Sequence, residues 1–264
     1  MSLATYGWRA RIGLILPADN ILMEPELYAL GIPGLSFHAL RLTSTDHDAM
    51  RHQAGELAGA IRELGLDIVV YACSETSFNA GTGARLALSE LIEKECGIPV
   101  VTATSALLAA ISALGLTKVS VVTPYKEKSG REFVQTLKDA GVSVLSSVHR
   151  DFRETSNDSR EWYATNREAA TTVYQMARSV DVPEGEAIVI ASTNLSTLSI
   201  RSQLERDRRK PVLSSNQSIL WWCLQSLDIE QSAFDLGELA EKQIPSTKGA
   251  SSLASDRTPA SLLS

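Results

Sequence analysis

The stretch IVVYACSETSF, residues 68–78, decides the fold, because its apolar run stops abruptly at a small polar cluster. A second stretch, IVIASTNLSTL at residues 188–198, has the same outline, and Ser192 stands in it where the first has Cys73. Continuous apolar runs of this kind are typical of strands in parallel sheets, which are covered on both faces. The two stretches therefore predict two buried strands that end in polar residues.

The similarity extends along the chain and indicates two copies of one βα unit. RIGLILPAD at residues 11–19 matches KVSVVTPYK at residues 118–126, and the segment at residues 98–116 matches the segment at residues 210–228. Chance similarity among apolar strands would explain any single match, but the shared order favours duplication. Since helical periodicity lies between most strand-like runs, we predict an α/β fold of two pseudosymmetric, flavodoxin-like lobes with parallel sheets.

Ligands bind beyond the carboxyl ends of the strands in open α/β sheets. Two facing lobes would place Cys73 and Ser192 on opposite walls of one cleft. We assign residues 10–116 and 215–240 to an N-terminal lobe and residues 117–214 to a C-terminal lobe. Residues 241–264, rich in Ser and Pro without an apolar period, are expected to be a flexible tail or an expression-related remnant.

Composition limits the classes of partner. The net charge is −6, and the basic residues are interspersed with acidic ones, so nucleic acid is not an expected partner. We find no apolar run near the ~20 residues that span a bilayer and no signal peptide, which predicts a cytoplasmic protein without membrane association. Neither the 3 cysteines nor the 4 histidines have metal-ligand spacing, so no metal site is expected. A small carboxylate substrate is compatible with this charge, because a few aimed donors can hold it.

Cys73 is the first candidate for chemistry. It follows a buried strand and precedes a predicted helix, where backbone N–H groups and the helix dipole would lower the pKa of a thiol. Most free cysteines are instead inert core residues, and Cys96 and Cys223 fit that description. Glu75 nearby would oppose ionisation of the thiol unless its carboxylate points away.

Polar residues at the other strand ends are further candidates. Ser192, Thr193 and Asn194 follow the second strand, and capping of a helix from Leu195 is the alternative for them. Other donors for a substrate carboxylate are Asn20, Tyr125 and Asn157. A turn is the alternative for both asparagines, and a packed ring with an exposed hydroxyl is the alternative for the tyrosine. No strand is followed by a glycine-rich nucleotide-binding loop, so no such cofactor is expected.

At these residues the chain resembles the aspartate/glutamate racemase superfamily, and within it the maleate cis-trans isomerase and arylmalonate decarboxylase group. The resemblance rests on six motifs in family order: RIGLILPADNILMEPEL, YACSETSF, VVTPY, the SND loop, ASTNL and PVLSSNQS. It implies two α/β lobes with the site between them, a homodimer, and an enzyme that needs no cofactor.

The resemblance also implies roles for residues. Cys73 would attack the double bond of maleate and form a succinyl thioether, which rotates before fumarate is eliminated. The substrate carboxylates would be held by Asn20, Tyr125 and Asn157, and by backbone N–H groups around Ser74, Glu75, Thr193 and Asn194.

Ser192 departs from the family pattern, because the isomerases carry a second cysteine there. A serine hydroxyl does not exchange protons near neutral pH as a thiol does. Ser192 would then mark a natural one-cysteine variant, an engineered replacement, or a paralogue with altered function. A maleate isomerase altered at this position is the expected function. The alternatives are a decarboxylase of the arylmalonate type, a racemase of aspartate, glutamate or hydantoins, and a non-catalytic dicarboxylate-binding protein.

Overall fold

The computed structural model describes residues 6–79, 81–155, 164–231 and 235–245. Within these ranges, eight strands form two four-stranded parallel sheets, with the orders β2-β1-β3-β4 and β6-β5-β7-β8. The strands of the first sheet are β1 (Ala10–Pro17), β2 (Leu35–Leu42), β3 (Ile68–Tyr71) and β4 (Val100–Thr102). The strands of the second sheet are β5 (Lys118–Thr123), β6 (Ser143–His149), β7 (Ala187–Ile190) and β8 (Val212–Ser214).

The identical strand order in the two sheets confirms the predicted α/β fold of two related lobes. The equivalence reaches single hydrogen bonds: Ala72 N donates to Ile15 O at 2.8 Å, and Ala191 N donates to Val122 O at 2.9 Å. The residues that follow these alanines, Cys73 and Ser192, thus leave the two sheets at matching points.

Helices cover both sheets. In the first half they are α1 (Met23–Ala29), α2 (His47–Arg62), α3 (Ser74–Phe78), α4 (Gly81–Cys96) and α5 (Ala103–Ala113). In the second half they are α6 (Glu127–Asp139), α7 (Ala170–Val180), α8 (Leu198–Arg208) and α9 (Ser215–Ser226). The sequence patterns did not predict β2 and α1. Strand β2 lies at a sheet edge and has exposed residues in its centre, so it lacks the continuous apolar run that revealed the buried strands.

One apolar core joins the two lobes. Helix α5 packs against α9, and the two helices occupy equivalent places in the duplicated halves. The same core cluster contains Leu14 and Val70 of the first sheet and Val121 and Val189 of the second, all fully buried. The division of the chain into lobes at residues 116 and 214 stays a prediction.

Lys242, at the start of the predicted tail, is anchored because its carbonyl oxygen accepts a hydrogen bond of 3.2 Å from Trp221 Nε1. Residues 246–264 lie outside the described residues, so the flexibility of the tail stays a prediction. Among the helices that the structure describes, none is both long and apolar enough to cross a membrane.

Candidate active site

A cavity of about 330 Å³ lies at the carboxyl ends of the central strands, and both lobes form its walls. The first lobe contributes residues 17–20 and 73–76, and the second contributes Pro124, Tyr125 and residues 192–194. All of the site residues named from the sequence line this cavity except Asn157, which lies outside the described residues. The structure thus brings these side chains together, while their roles stay predictions.

Cys73 occupies the N-cap position of α3, and its side chain is almost completely buried. The Thr76 hydroxyl and backbone N–H hydrogen-bond the sulfur, but burial outweighs them and raises the pKa of the Cys73 thiol to about 11. The negative charges of Glu75 and Asp19 also raise the pKa of the Cys73 thiol, but by less than burial does. The expected lowering of the pKa is therefore wrong for this structure. Helix α3 has only 5 residues, so its dipole is a weak counterweight to burial.

The raised pKa predicts slow, pH-dependent alkylation of Cys73. At pH 7 only about one thiol in 10⁴ is ionised if the pKa is about 11. The rate of carbamidomethylation by iodoacetamide should therefore rise about tenfold per pH unit between pH 7 and pH 10. Mass spectrometry of the peptide that contains Cys73 measures this rate. A rate already at its plateau at pH 7 would show that the thiol is ionised there.

Ser192 is buried, and its Oγ accepts a hydrogen bond of 3.0 Å from Asn194 N in a local turn. Helix α8 begins only at Leu198, with Thr197 at its N-cap position. The alternative that residues 192–194 cap a helix from Leu195 is therefore wrong. These polar side chains belong to the cavity wall.

Tyr125 joins the two walls, since its hydroxyl lies within hydrogen-bonding range of the Ser74 and Ser192 side chains. Burial raises the pKa of this tyrosine well above its usual value, so the phenol stays neutral and can donate a hydrogen bond. The alternative of an exposed hydroxyl is wrong, because the side chain is buried.

Asn20 forms a turn and also connects the lobes. Its Oδ1 accepts hydrogen bonds from Leu22 N at 3.2 Å and Met23 N at 3.1 Å. Its Nδ2 donates to both the carbonyl oxygen and the Oγ1 of Thr193, each at 3.2 Å. Thr193 Oγ1 in turn donates to Ala72 O at 2.9 Å. Thr193 is therefore fixed to the residue that precedes Cys73.

Glu26 adds further hydrogen bonds between the two lobes. This residue was not identified from the sequence. Its Oε1 accepts hydrogen bonds from Thr197 N at 2.5 Å and Leu198 N at 2.8 Å, at the start of α8. Its Oε2 accepts a hydrogen bond of 2.7 Å from Asn216 Nδ2, which also donates to Thr193 O at 3.3 Å. We call Asn20, Glu26, Thr193 and Asn216 the inter-lobe network. It holds the wall that carries Ser192 against the wall that carries Cys73.

Several charged residues of the cavity wall were also not identified from the sequence. Asp19, His47 and Arg153 line it together with Glu75. Glu75 Oε2 lies 4.0 Å from His47 Nε2, and Arg153 Nε donates to the buried Asp151 Oδ1 at 2.7 Å. Asp19 could have been identified from the sequence, because it directly precedes Asn20, which was predicted to be a site residue. Arg153 follows β6 and had no signal, because side-chain placement after an amphipathic strand depends on tertiary packing.

Among the residues that the structure describes, no three His, Cys, Asp or Glu side chains are grouped to hold a metal ion. The donors around the cavity are hydroxyl, amide and backbone N–H groups, which suit a carboxylate ligand.

Comparison with known proteins finds relatives of this chain. The maleate isomerase of Geobacillus stearothermophilus is 24% identical over 249 residues, which cover 87% of this chain and 96% of that protein. The arylmalonate decarboxylase of Bordetella bronchiseptica is 24% identical over 208 residues, covering 78% and 83% of the two chains. A crystallised cysteine-to-serine mutant of the Nocardia farcinica maleate cis-trans isomerase, described with a covalently bound succinylcysteine intermediate, superposes with a TM-score of 0.79. That structure is 25% identical and covers 88% of this chain and 98% of its own.

The family model for arylmalonate decarboxylase matches residues 12–240. The match includes every strand after the first residues of β1 and both walls of the cavity. The resemblance predicted from the six motifs is thereby confirmed, and the chain belongs to the arylmalonate decarboxylase family.

Proposed function

We propose that this protein is a cis-trans isomerase of a small dicarboxylate, with maleate as substrate and Cys73 as nucleophile. The observation that carries the proposal is the position of the Cys73 thiol, buried at the start of α3 and facing the wall of Tyr125 and Ser192. Maleate isomerases among its relatives and the succinylcysteine in the Nocardia farcinica mutant support it. That mutant also forms its adduct with a serine in place of one cysteine.

The reaction needs one covalent bond to sulfur. The Cys73 proton leaves, Sγ bonds to one alkene carbon, and the electron pair of the double bond moves to the other carbon, which takes a proton. The product is a thioether with a freely rotating C–C bond. After rotation that same carbon loses a proton, the C–S bond breaks, and the trans alkene leaves. Negative charge that develops beside the substrate carboxylate would be stabilised by N–H groups at the start of α3 and by the neutral Tyr125 hydroxyl.

The test is incubation of the full chain with maleate, followed by detection of fumarate by NMR and of a succinyl adduct on the Cys73 peptide by mass spectrometry. We expect fumarate, and an adduct that depends on maleate. The Cys96 peptide in the same digest is the matched control, since that thiol is also buried but does not line the cavity. A folded protein that yields neither fumarate nor adduct would contradict the proposal.

Decarboxylation of an arylmalonate is the second candidate, and the raised pKa of Cys73 favours it. A thiol that keeps its proton at neutral pH can donate that proton to the enediolate formed when CO₂ leaves. Release of CO₂ from phenylmalonate, with maleate unchanged in a parallel incubation, would favour this candidate over the first.

Four further expectations from the sequence stay proposals. They are the replacement of a second catalytic cysteine by Ser192, the homodimer, the cytoplasmic location and activity without a cofactor. Racemisation and non-catalytic dicarboxylate binding remain alternatives, and turnover of neither maleate nor phenylmalonate would favour them.

A further inference from the structure

The proposed reaction needs a group that moves a proton to and from the substrate carbon. Among the described residues that line the cavity, Cys73 is the only cysteine. The hydroxyl of Ser192 stands on the facing wall, but an unactivated serine does not exchange protons readily near neutral pH. A carboxyl group in the cavity is better suited to carry this proton, because carboxyl groups exchange protons readily.

Asp19 is placed to do this. It follows β1 in the loop at residues 17–20 and lines the same cavity as Cys73. Its Oδ2 accepts a hydrogen bond of 3.4 Å from Asn194 Nδ2, two residues beyond Ser192. Its backbone carbonyl accepts a bond of 2.6 Å from the buried Asn166 Nδ2. Asp19 belongs to the wall that carries Cys73, and its carboxylate contacts Asn194 of the facing wall.

The charges around Asp19 come from several elements. Arg41 of β2 and Arg153 after β6 favour its ionised form, while burial is the larger effect and raises the pKa of Asp19. Cys73 is close enough for the Asp19 charge to affect the pKa of its thiol, and Glu75 and His47 line the same cavity. A carboxyl group can both accept and donate a proton, and burial shifts the pKa of Asp19 in the direction that favours donation.

We propose that Asp19 is the catalytic acid-base group of this cavity. The inference rests on the proposed isomerase function. Ionised Asp19 takes the proton of Cys73 as Sγ bonds to one alkene carbon. It then gives that proton to the neighbouring carbon, which completes the thioether. After rotation Asp19 removes the proton from that carbon, the C–S bond breaks, and Asp19 returns the proton to the departing sulfur. No other reactant is needed.

The experiment compares Asp19→Asn, Ser192→Cys and the double variant in the full chain, with maleate as substrate. Asp19→Asn keeps the shape and the hydrogen-bond acceptor but cannot carry the proton, so we expect kcat to fall about 100-fold or more. The double variant should recover at least about tenfold of that loss, because its new thiol lies on the facing wall and can exchange protons. Asp48→Asn, a change of the same chemistry on the exposed face of α2, is the control and should leave the rate within about twofold.

Each result decides between the two proposals. An Asp19→Asn variant within about twofold of the wild-type rate would overturn the role of Asp19 and leave the isomerase function intact. A double variant as slow as Asp19→Asn would also overturn it, since a thiol would not repair a merely structural defect. Wild-type protein that does not convert maleate would refute the isomerase function, and the role of Asp19 with it.

Discussion

Replacing Cys73 by alanine is expected to lower the rate of fumarate formation from maleate by at least about 10⁴-fold. The substitution removes the only atom that the proposed mechanism bonds to the substrate. Stability should change little by comparison, since the side chain is small and borders a cavity. The measurement is kcat/KM for both proteins, with circular dichroism and the thermal midpoint to establish that the variant is folded.

Cys96→Ala is the matched control for this result. Cys96 lies at the end of α4, is also buried, and does not line the cavity. The control should retain activity within about twofold of the wild type. Equal activity in the Cys73→Ala variant would refute nucleophilic catalysis by this residue and direct attention to the carboxylates of the cavity.

Replacing Glu26 by alanine is expected to lower the free energy of unfolding by about 3 kcal/mol. The carboxylate accepts the backbone N–H groups of Thr197 and Leu198 and the Asn216 amide, so its removal leaves these donors without their partner. Chemical denaturation monitored by fluorescence measures the change. Activity should fall as well, because the inter-lobe network fixes Thr193 in the cavity wall.

Glu26→Gln gives a graded comparison. The glutamine carbonyl can still accept both backbone N–H groups that bond to Oε1, but its amide would meet the Asn216 amide donor. A loss of about 1 kcal/mol is therefore expected, smaller than that of the alanine variant. Equal stability of the wild type and the alanine variant would show that the network contributes nothing to folding.

Much of the fold was predictable because buried strands have a simple apolar pattern in the sequence. Strands β3 and β7 are covered on both faces, so their residues form uninterrupted apolar runs, and the polar residues after them mark the edge where ligands bind. The duplication repeats this pattern in the second half of the chain, so the equivalence of Cys73 and Ser192 can be recognised from the sequence alone. Tyr125, Ser74 and Ser192 lie close together for the same reason, because each follows the carboxyl end of a parallel strand.

Other properties of the site depend on competing effects that local sequence does not contain. The pKa of Cys73 is set by burial against hydrogen bonds from Thr76, and the extent of burial is a property of the whole packed molecule. Asp19 lies beside Asn20 in the chain, but its partners Asn194 and Asn166 are distant in sequence and meet it only after folding. The same holds for Glu26, which lies on a helix that the sequence patterns did not predict.

The duplicated scaffold carries an unequal pair of walls, and this inequality has a stereochemical consequence. In the proposed reaction, a planar alkene or enediolate bound between the lobes would present one face to the Cys73 wall and the other to the Ser192 wall. Two equivalent thiols would make both faces reactive, whereas a single thiol makes the faces chemically distinct. The proposed bond to sulfur would therefore form on one side of the substrate plane, and any stereocentre made there should have one handedness.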